Sequence, residues 1–168
     1  GEVVYQQVLD RFGSAILNRD RKVNRARLAE LAFGAPGKPS RVEELNQIVH
    51  PAVVRRQEEW MADVGKRNPY AIAMVEAALI LEARMAEGFN RLIVVTCRPE
   101  QRVDRWARRL KADQETARRE VTRRMAAQFP DEEKIKVADY IVDNSGSLDE
   151  TERQVKTIYA ELKKEASK

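Results

Sequence analysis

The sequence has one cysteine, Cys97, and one histidine, His50. The first excludes an internal disulfide and a cysteine-rich metal site. The second leaves little for a zinc cluster or a Ser-His-Asp triad. Aromatic residues are only 6% of the chain, and Trp60 and Trp106 fall on apolar helical stripes, where they read as packing. Long apolar runs are lacking too. The best, Ala71 to Leu81, is too short to span a bilayer and contains Glu76. No basic stretch followed by an apolar one opens the chain, so a signal peptide is not expected and the simplest location is cytoplasmic. Repeats, low-complexity tracts and clear linkers are also missing.

What is present suits a globular domain. The 168 residues are 43% apolar and 35% charged, with a formal net charge of +4. That balance argues against disorder and allows one domain with a real core and a small helical appendage. The loosest stretch, Gly34 to Ser40, reads as a connection between two helices. Arg25 to Phe33 precedes it with Leu28, Leu31 and Ala32 at helical spacing. After it, Val42, Leu45, Val49, Val53, Trp60 and Val64 continue a helical stripe, with Pro51 expected to start a new helix or kink.

Three short apolar runs read as buried parallel strands: Tyr70 to Val75, Leu92 to Thr96 and Tyr140 to Asp143. Helices are expected to follow each. Pro99 suits a first helical position, with Val103, Trp106, Ala107 and Leu110 on one face. A second helix starts near Asp113, carrying Ala117, Val121 and Met125. Ser147-Leu148-Asp149-Glu150 matches a capping box, and the helix after it carries Val155, Ile158, Tyr159 and Leu162 as its core face. Alternating strands and helices predict an α/β fold, a parallel sheet with helices on both faces. Ligands of such sheets sit outside the carboxyl ends of the strands. The stretches to inspect are therefore Glu76 to Glu82, Cys97 to Arg98, and Asn144 to Gly146.

Glu76 ends a buried run, where nucleotide kinases hold magnesium or its water shell; a local ion pair is the plainer reading. From Arg98 to Arg124 there are nine arginines and Lys111, against five carboxylates. Guanidinium groups suit bidentate contact with phosphates. Arg105 and Arg109, four apart, share a helix face. Two helices meeting at Lys111-Ala112 would make a basic hairpin able to close over a polyphosphate. For most of these arginines a solvated helix surface is the competing account. Nucleic-acid binding is disfavoured, because no aromatic residues interleave the charges. Asn144 to Ser147 offers exposed backbone that could read a base edge, or is an ordinary tight turn. His50 and Cys97 read as packing or rim residues.

Taken together, the segments resemble the dephospho-CoA kinase family, from Gly1 to about Leu162. The resemblance rests on Ile48 to Val53 around His50-Pro51, Glu76 to Ala83, Leu92 to Val95 with Pro99-Glu100-Gln101, Ala126 to Pro130 with Glu133-Lys134, and Ala138 to Ser147. The opening Gly1 to Gly13 also looks like the helix that follows the family's second strand. The resemblance implies a fold of the P-loop kinase type. Residues 1–168 would form one kinase-like domain: a helical acceptor-side region over 1–68, a core over 69–100 and 138–168, and lid helices over 101–137. It implies transfer of the γ-phosphoryl group of ATP, with Mg2+, to the ribose 3′-hydroxyl of dephospho-CoA. His50, Leu79 and Glu82 would then border the acceptor. Arg105, Arg109 and Arg124 would belong to the lid over the phosphates, Asn144, Ser145 and Gly146 would lie near adenine, and Glu76 would be the metal candidate.

The sequence departs from the family's pattern at its start. The family opens with a strand, a G-x-x-x-x-G-K-[ST] loop and an Asp-Ala-Asp segment that supplies the presumed base. None has a match here, and the chain begins about 35 to 45 residues late by comparison. No catalytic residue is therefore expected in this stretch, and without the loop turnover should be lost. The central first strand of the sheet would be absent as well. Its segment would lie outside the given residues or come from another chain, or the strands would rearrange; unpaired strand edges would favour self-association. Ala78 stands where the family usually has proline, and Leu110-Lys111 where its lid often has Asp-Gly. The rival expectation is a non-catalytic fragment or engineered scaffold of this fold that binds CoA-like anions or a partner chain.

Overall fold

In the computed structural model the described residues are 2–33 and 39–168. The chain forms two compact units, Gly1–Val64 and Gly65–Lys168. Most of the expected connection Gly34 to Ser40 lies outside the described residues.

The first unit is helical. Helix α1 (Glu2–Phe12) is followed by a short 3-10 turn at Ser14–Ile16, then α2 (Arg25–Phe33) and α3 (Val42–Arg67), whose last residues pass into the second unit. Gly13, at φ 80°, ends α1 in a conformation that favours glycine, and its N–H reaches the Leu9 carbonyl at 2.7 Å. Asn24 caps α2, its side-chain oxygen accepting from the N–H groups of Ala26 and Arg27 at 3.1 Å each. Val8, Phe12, Ile16 and Ala32 form the buried core, with Leu45, Ile48 and Val49 of α3 packed on it. Two expectations for α3 are corrected. Pro51 does not start a new helix, since α3 runs through it. Pro51 and Gln47, whose carbonyl loses its donor, are both exposed, so water can satisfy that carbonyl. The apolar stripe is also less buried than its spacing suggests, with Val53 49% and Trp60 39% exposed.

The second unit has the α/β architecture. Strand β1 (Ile93–Thr96) pairs in parallel with β2 (Tyr140–Asp143), Ile93 opposite Tyr140 through Thr96 opposite Asp143. Helices flank this sheet: α4 (Pro99–Leu110), α5 (Gln114–Ala126), α6 (Asp131–Lys136) and α7 (Leu148–Ala166). The Asp139 carboxylate accepts from the Leu92 N–H at 2.7 Å and fixes the start of the strand pair. Pro99 opens α4 as expected, and the side chain of Gln101 accepts from the Arg98 N–H at 3.1 Å. Lys111 ends α4 in the left-handed region, at φ 53° and ψ 39°. Two residues later Asp113 caps α5 through the Thr116 N–H at 2.8 Å. Val103, Ala107, Ala117 and Val121 bury the seam between these helices. The capping box of α7 is formed, with the Glu150 carboxylate accepting from the Ser147 N–H at 2.6 Å.

Several expectations fail here. Tyr70 to Val75 is not a strand. Tyr70 lies in a turn and residues 71–77 form no regular element; Tyr70 is 63% and Met74 64% exposed, and no neighbouring strand is hydrogen-bonded to the stretch among the described residues. A run without a ladder has nothing to fix it as a strand. The segment after it is not a helix but a series of turns over residues 78–84, closed by Arg84 at φ 54°. The two real strands are not buried on both faces, since Val95 is 59% and Ile141 45% exposed. On α7, Val155 and Tyr159 lie about half open, and Ile158 alone is buried. Leu110, assigned to the core face of α4, is 53% exposed at the end of the helix.

Candidate functional site

The carboxyl ends of β1 and β2 meet the start of α4 and the loop before α7. Three side chains of α4 and its cap hold that loop. Arg105 donates to the Asn144 carbonyl at 2.9 Å, Gln101 to the Ser145 carbonyl at 2.9 Å, and Arg98 to the same carbonyl at 3.2 Å. The loop is braced from within as well. Asn144 N–H continues the ladder to the Thr96 carbonyl at 2.8 Å, and Ser145 N–H reaches the Asp143 carboxylate at 2.9 Å. Bonding to Ser145, through its side chain first and its backbone second, holds the Asp143 carboxyl below its usual range, with a smaller contribution from the Arg98 charge and burial opposing.

This bracing corrects the reading of the 144–146 stretch as open backbone. The Asn144 and Ser145 N–H groups are spent inside the loop, and both carbonyls already accept a bond from α4. Of the three residues, Gly146 keeps a backbone N–H and carbonyl with no bond among the described residues.

Beside the loop, α4, α5, α6 and β1 enclose a cavity of about 390 Å³. Its lining brings together Arg105, Arg109 and Arg124. Arg102 and Lys134 also face it, giving five cations against the single carboxylate of Asp131. Arg102 is spent on Asp131. Burial disfavours its charge, but bonding to Asp131 and to Cys97 outweighs that cost and raises its pKa. Arg109 and Arg124 have no ion pair or hydrogen bond among the described residues. The geometry therefore separates one arginine that builds the cavity from others whose donors are open to an anion.

Trp106 lines the same cavity, and its indole N–H is buried without a partner. Sequence reasoning assigned this residue to packing. An i, i+4 stripe cannot show that the ring edge faces a cavity rather than a neighbour. Buried indole N–H groups usually find an acceptor, so a ligand entering here gains a donor already stripped of water.

The remaining candidates are dispersed. Glu76 is exposed, and no cluster of three or more His, Cys, Asp or Glu residues able to hold a metal occurs among the described residues. These side chains alone do not fit a resident magnesium site. Leu79 is half-buried, and its carbonyl accepts from Ala83 N–H at 2.9 Å in the turns. Glu82 accepts from the Phe129 N–H at 2.7 Å and pairs with Lys134 at 3.7 Å. His50 is half-buried on α3 in the first unit, whereas Leu79 and Glu82 belong to the second. A separate cavity of about 780 Å³ between α1 and α3 is lined by Ile48, Pro51 and Ala52 near it, with Arg11 and Arg55 at hand.

Comparison with known proteins bears on this arrangement. A family profile described as Dephospho-CoA kinase matches residues 1–150. A dephospho-CoA kinase of Aquifex aeolicus is 33% identical over 162 residues, covering 96% of this chain and 77% of that protein. One of Carboxydothermus hydrogenoformans is 34% identical over 163 residues, covering 97% and 75%. Among solved structures, TT1252 from Thermus thermophilus superposes with a TM-score of 0.66 at 28% identity, covering 96% of this chain and 82% of the other. The dephospho-CoA kinase from Campylobacter jejuni shares the fold, with a TM-score of 0.60 at 23% identity over 97% and 83%. Among the described residues no helix is long and apolar enough to cross a membrane.

Proposed function

The chain belongs to the dephospho-CoA kinase family, and on that premise we propose that it supplies the phosphate lid, the base-side loop and the acceptor-side helices of an enzyme that moves the γ-phosphoryl group of ATP to the ribose 3′-hydroxyl of dephospho-CoA. The observation that carries this reading is the basic cavity. Arg105, Arg109 and Arg124 line one concavity beside the carboxyl end of a parallel strand pair, and Arg105 also grips the loop proposed to face adenine.

The chemistry follows from what phosphoryl transfer needs. The transferring group spreads negative charge over its oxygens, and catalysis is mostly positioning and electrostatic stabilisation. Arg109 and Arg124 would meet those oxygens with planar forks, and the Trp106 N–H would add a donor from a dry wall. Gly146 would present its free backbone donor and acceptor to the base. Residues 101–137 would act as the lid and residues 1–68 as the acceptor side, with His50 and Leu79 near dephospho-CoA. Magnesium would arrive with the nucleotide, and no step here is assigned to it.

Within residues 1–168 there is no G-x-x-x-x-G-K-[ST] loop. Backbone N–H groups cradling the β- and γ-phosphates are worth too much to be replaced by the lid alone. We therefore expect residues 1–168 by themselves to bind polyphosphate without turnover. The test is ADP release dependent on dephospho-CoA, measured for residues 1–168 alone and for the same residues joined to a phosphate-loop segment. Activity only in the joined protein supports the reading. Turnover by residues 1–168 alone would refute the need for the loop. A joined, folded protein that binds both ligands yet never releases ADP would favour a non-catalytic anion-binding module.

A further inference from the structure

A polar cluster drawn from two distant parts of the chain stands at one wall of the basic cavity. Glu82 comes from the turns at residues 78–84, Gln128 and Phe129 from the link between α5 and α6, and Lys134 from α6. The Glu82 and Lys134 side chains are each only 16% exposed. Lys134 and Gln128 line the cavity.

We propose that Lys134 is a further polyphosphate-binding cation of this cavity, oriented by Gln128 and charge-balanced by Glu82, and that Glu82 is a positioning residue rather than a contact to the acceptor. This rests on the reading of the cavity as the phosphate site. An ammonium group has three donors. One of them goes to Gln128 Oε1 at 2.7 Å. The nearest carboxylate oxygen, Glu82 Oε1, lies at 3.7 Å, too far for a hydrogen bond, and already accepts from the Phe129 N–H at 2.7 Å. Two N–H donors of a largely buried cation therefore remain unspent at the cavity wall. A carboxylate at that separation attracts the ammonium by charge alone, so a phosphate oxygen at bonding distance would outcompete it.

Arg102 shows the contrast. Its guanidinium is in direct ion-pair contact with Asp131, so its charge is already balanced by a bonded carboxylate. Glu82 meanwhile does backbone work. By accepting from Phe129 it fixes the link that leads into α6, and so fixes where Lys134 emerges. Its other oxygen, Oε2, is buried without a partner. Removing the negative charge while keeping an acceptor at Oε1 should leave the wall standing and make the cavity more attractive to anions.

The test is calorimetric titration of inorganic tripolyphosphate into residues 1–168 and four variants, with circular dichroism to confirm folding. Lys134→Met should weaken binding about tenfold, and Lys134→Arg should restore most of the loss. Glu82→Gln should bind tripolyphosphate at least as tightly as the parent and dephospho-CoA equally well. Binding by Lys134→Met within twofold of the parent, while Arg109→Ala loses it, would overturn the role of Lys134 and leave the cavity reading intact. A tenfold loss of dephospho-CoA affinity in Glu82→Gln would overturn the positioning role and return Glu82 to the acceptor site. If the parent fails to bind tripolyphosphate, the cavity reading and this inference fall together.

Discussion

The guanidinium of Arg105 donates to the carbonyl of Asn144 at 2.9 Å, so the helix that lines the basic cavity also holds the loop beyond β2. One side chain thus touches two proposed subsites, phosphate and base. Replacing it should disturb both, whereas replacing Arg109, which lines the cavity without touching the loop, should disturb only the phosphate side.

This difference is measurable by titration. Arg109→Ala should weaken inorganic tripolyphosphate and ATP by the same factor, about ten- to a hundredfold for a lost charge-assisted contact. Arg105→Ala should weaken ATP more than tripolyphosphate, because the loop facing the base is released as well. Equal losses for both ligands in Arg105→Ala would show that the bond to Asn144 does not matter for nucleotide binding.

Acid stability should follow the helix caps and the loop. Five carboxyls, three of them exposed and two half-buried, are held below their usual range. Arg41 lowers Glu44, the Thr116 N–H lowers Asp113, Arg123 lowers Glu120, the Ser145 side chain lowers Asp143, and the Ser147 N–H lowers Glu150. In each case the folded state binds its proton less readily than the unfolded chain. The stabilisation is therefore complete above the unfolded carboxylate range of about 4 and is lost as pH falls through the folded values. Melting temperature should be flat from neutral pH to about 5 and drop below about 4. Ser147→Ala should lower stability at neutral pH by about 1 kcal/mol and flatten part of that acid drop, since Glu150 then has fewer donors to lose.

The turn between α4 and α5 offers a gain instead. Lys111 sits at φ 53° and ψ 39°, where a side chain crowds its own backbone. Glycine relieves that strain and gives back part of it as extra freedom in the unfolded chain. Lys111→Gly should raise stability by up to about 1 kcal/mol in urea unfolding. The residue is absent from the cavity lining, so tripolyphosphate affinity should not change.

What the sequence disclosed, and what it hid, divides by the range of the interactions. Local chemistry was legible. Pro99, Asp113 and the Ser147–Glu150 pair mark helix starts through bonds within a few residues, and the structure has those helices. The basic character of α4 and α5 was legible too, because nine arginines and a lysine in one stretch need no fold to be seen. Long-range pairing was not. Tyr70 to Val75 has strand composition, but a strand exists only where a neighbour supplies its ladder, and composition does not name the neighbour. Glu82 was assigned by resemblance to the acceptor, while its partners, Phe129 and Lys134, lie about fifty residues away in sequence. Trp106 looked like a packing residue because its helical position is apolar. Only the fold reveals that its N–H is stranded at a cavity.

The strand pair itself makes the sharpest prediction. Leu92 and Thr96 turn their carbonyls to β2, accepting from Tyr140 at 3.1 Å and from Asn144 at 2.8 Å. In a parallel ladder alternate residues face the same neighbour. Val94 must therefore also bond to β2, and Ile93 and Val95 must turn their N–H groups to the other edge, where no strand is paired among the described residues. Amide hydrogen exchange followed by NMR should find Val94 protected and Ile93 and Val95 exchanging orders of magnitude faster, along with residues 71–77, which form no regular element. An open edge of this kind is a template for another strand. Pairing of two copies through it would make protection at Ile93 and Val95 rise with protein concentration while Val94 stays constant. Protection at Val95 that is strong and independent of concentration would mean that this edge is already covered within one chain, and the open-edge prediction would be wrong.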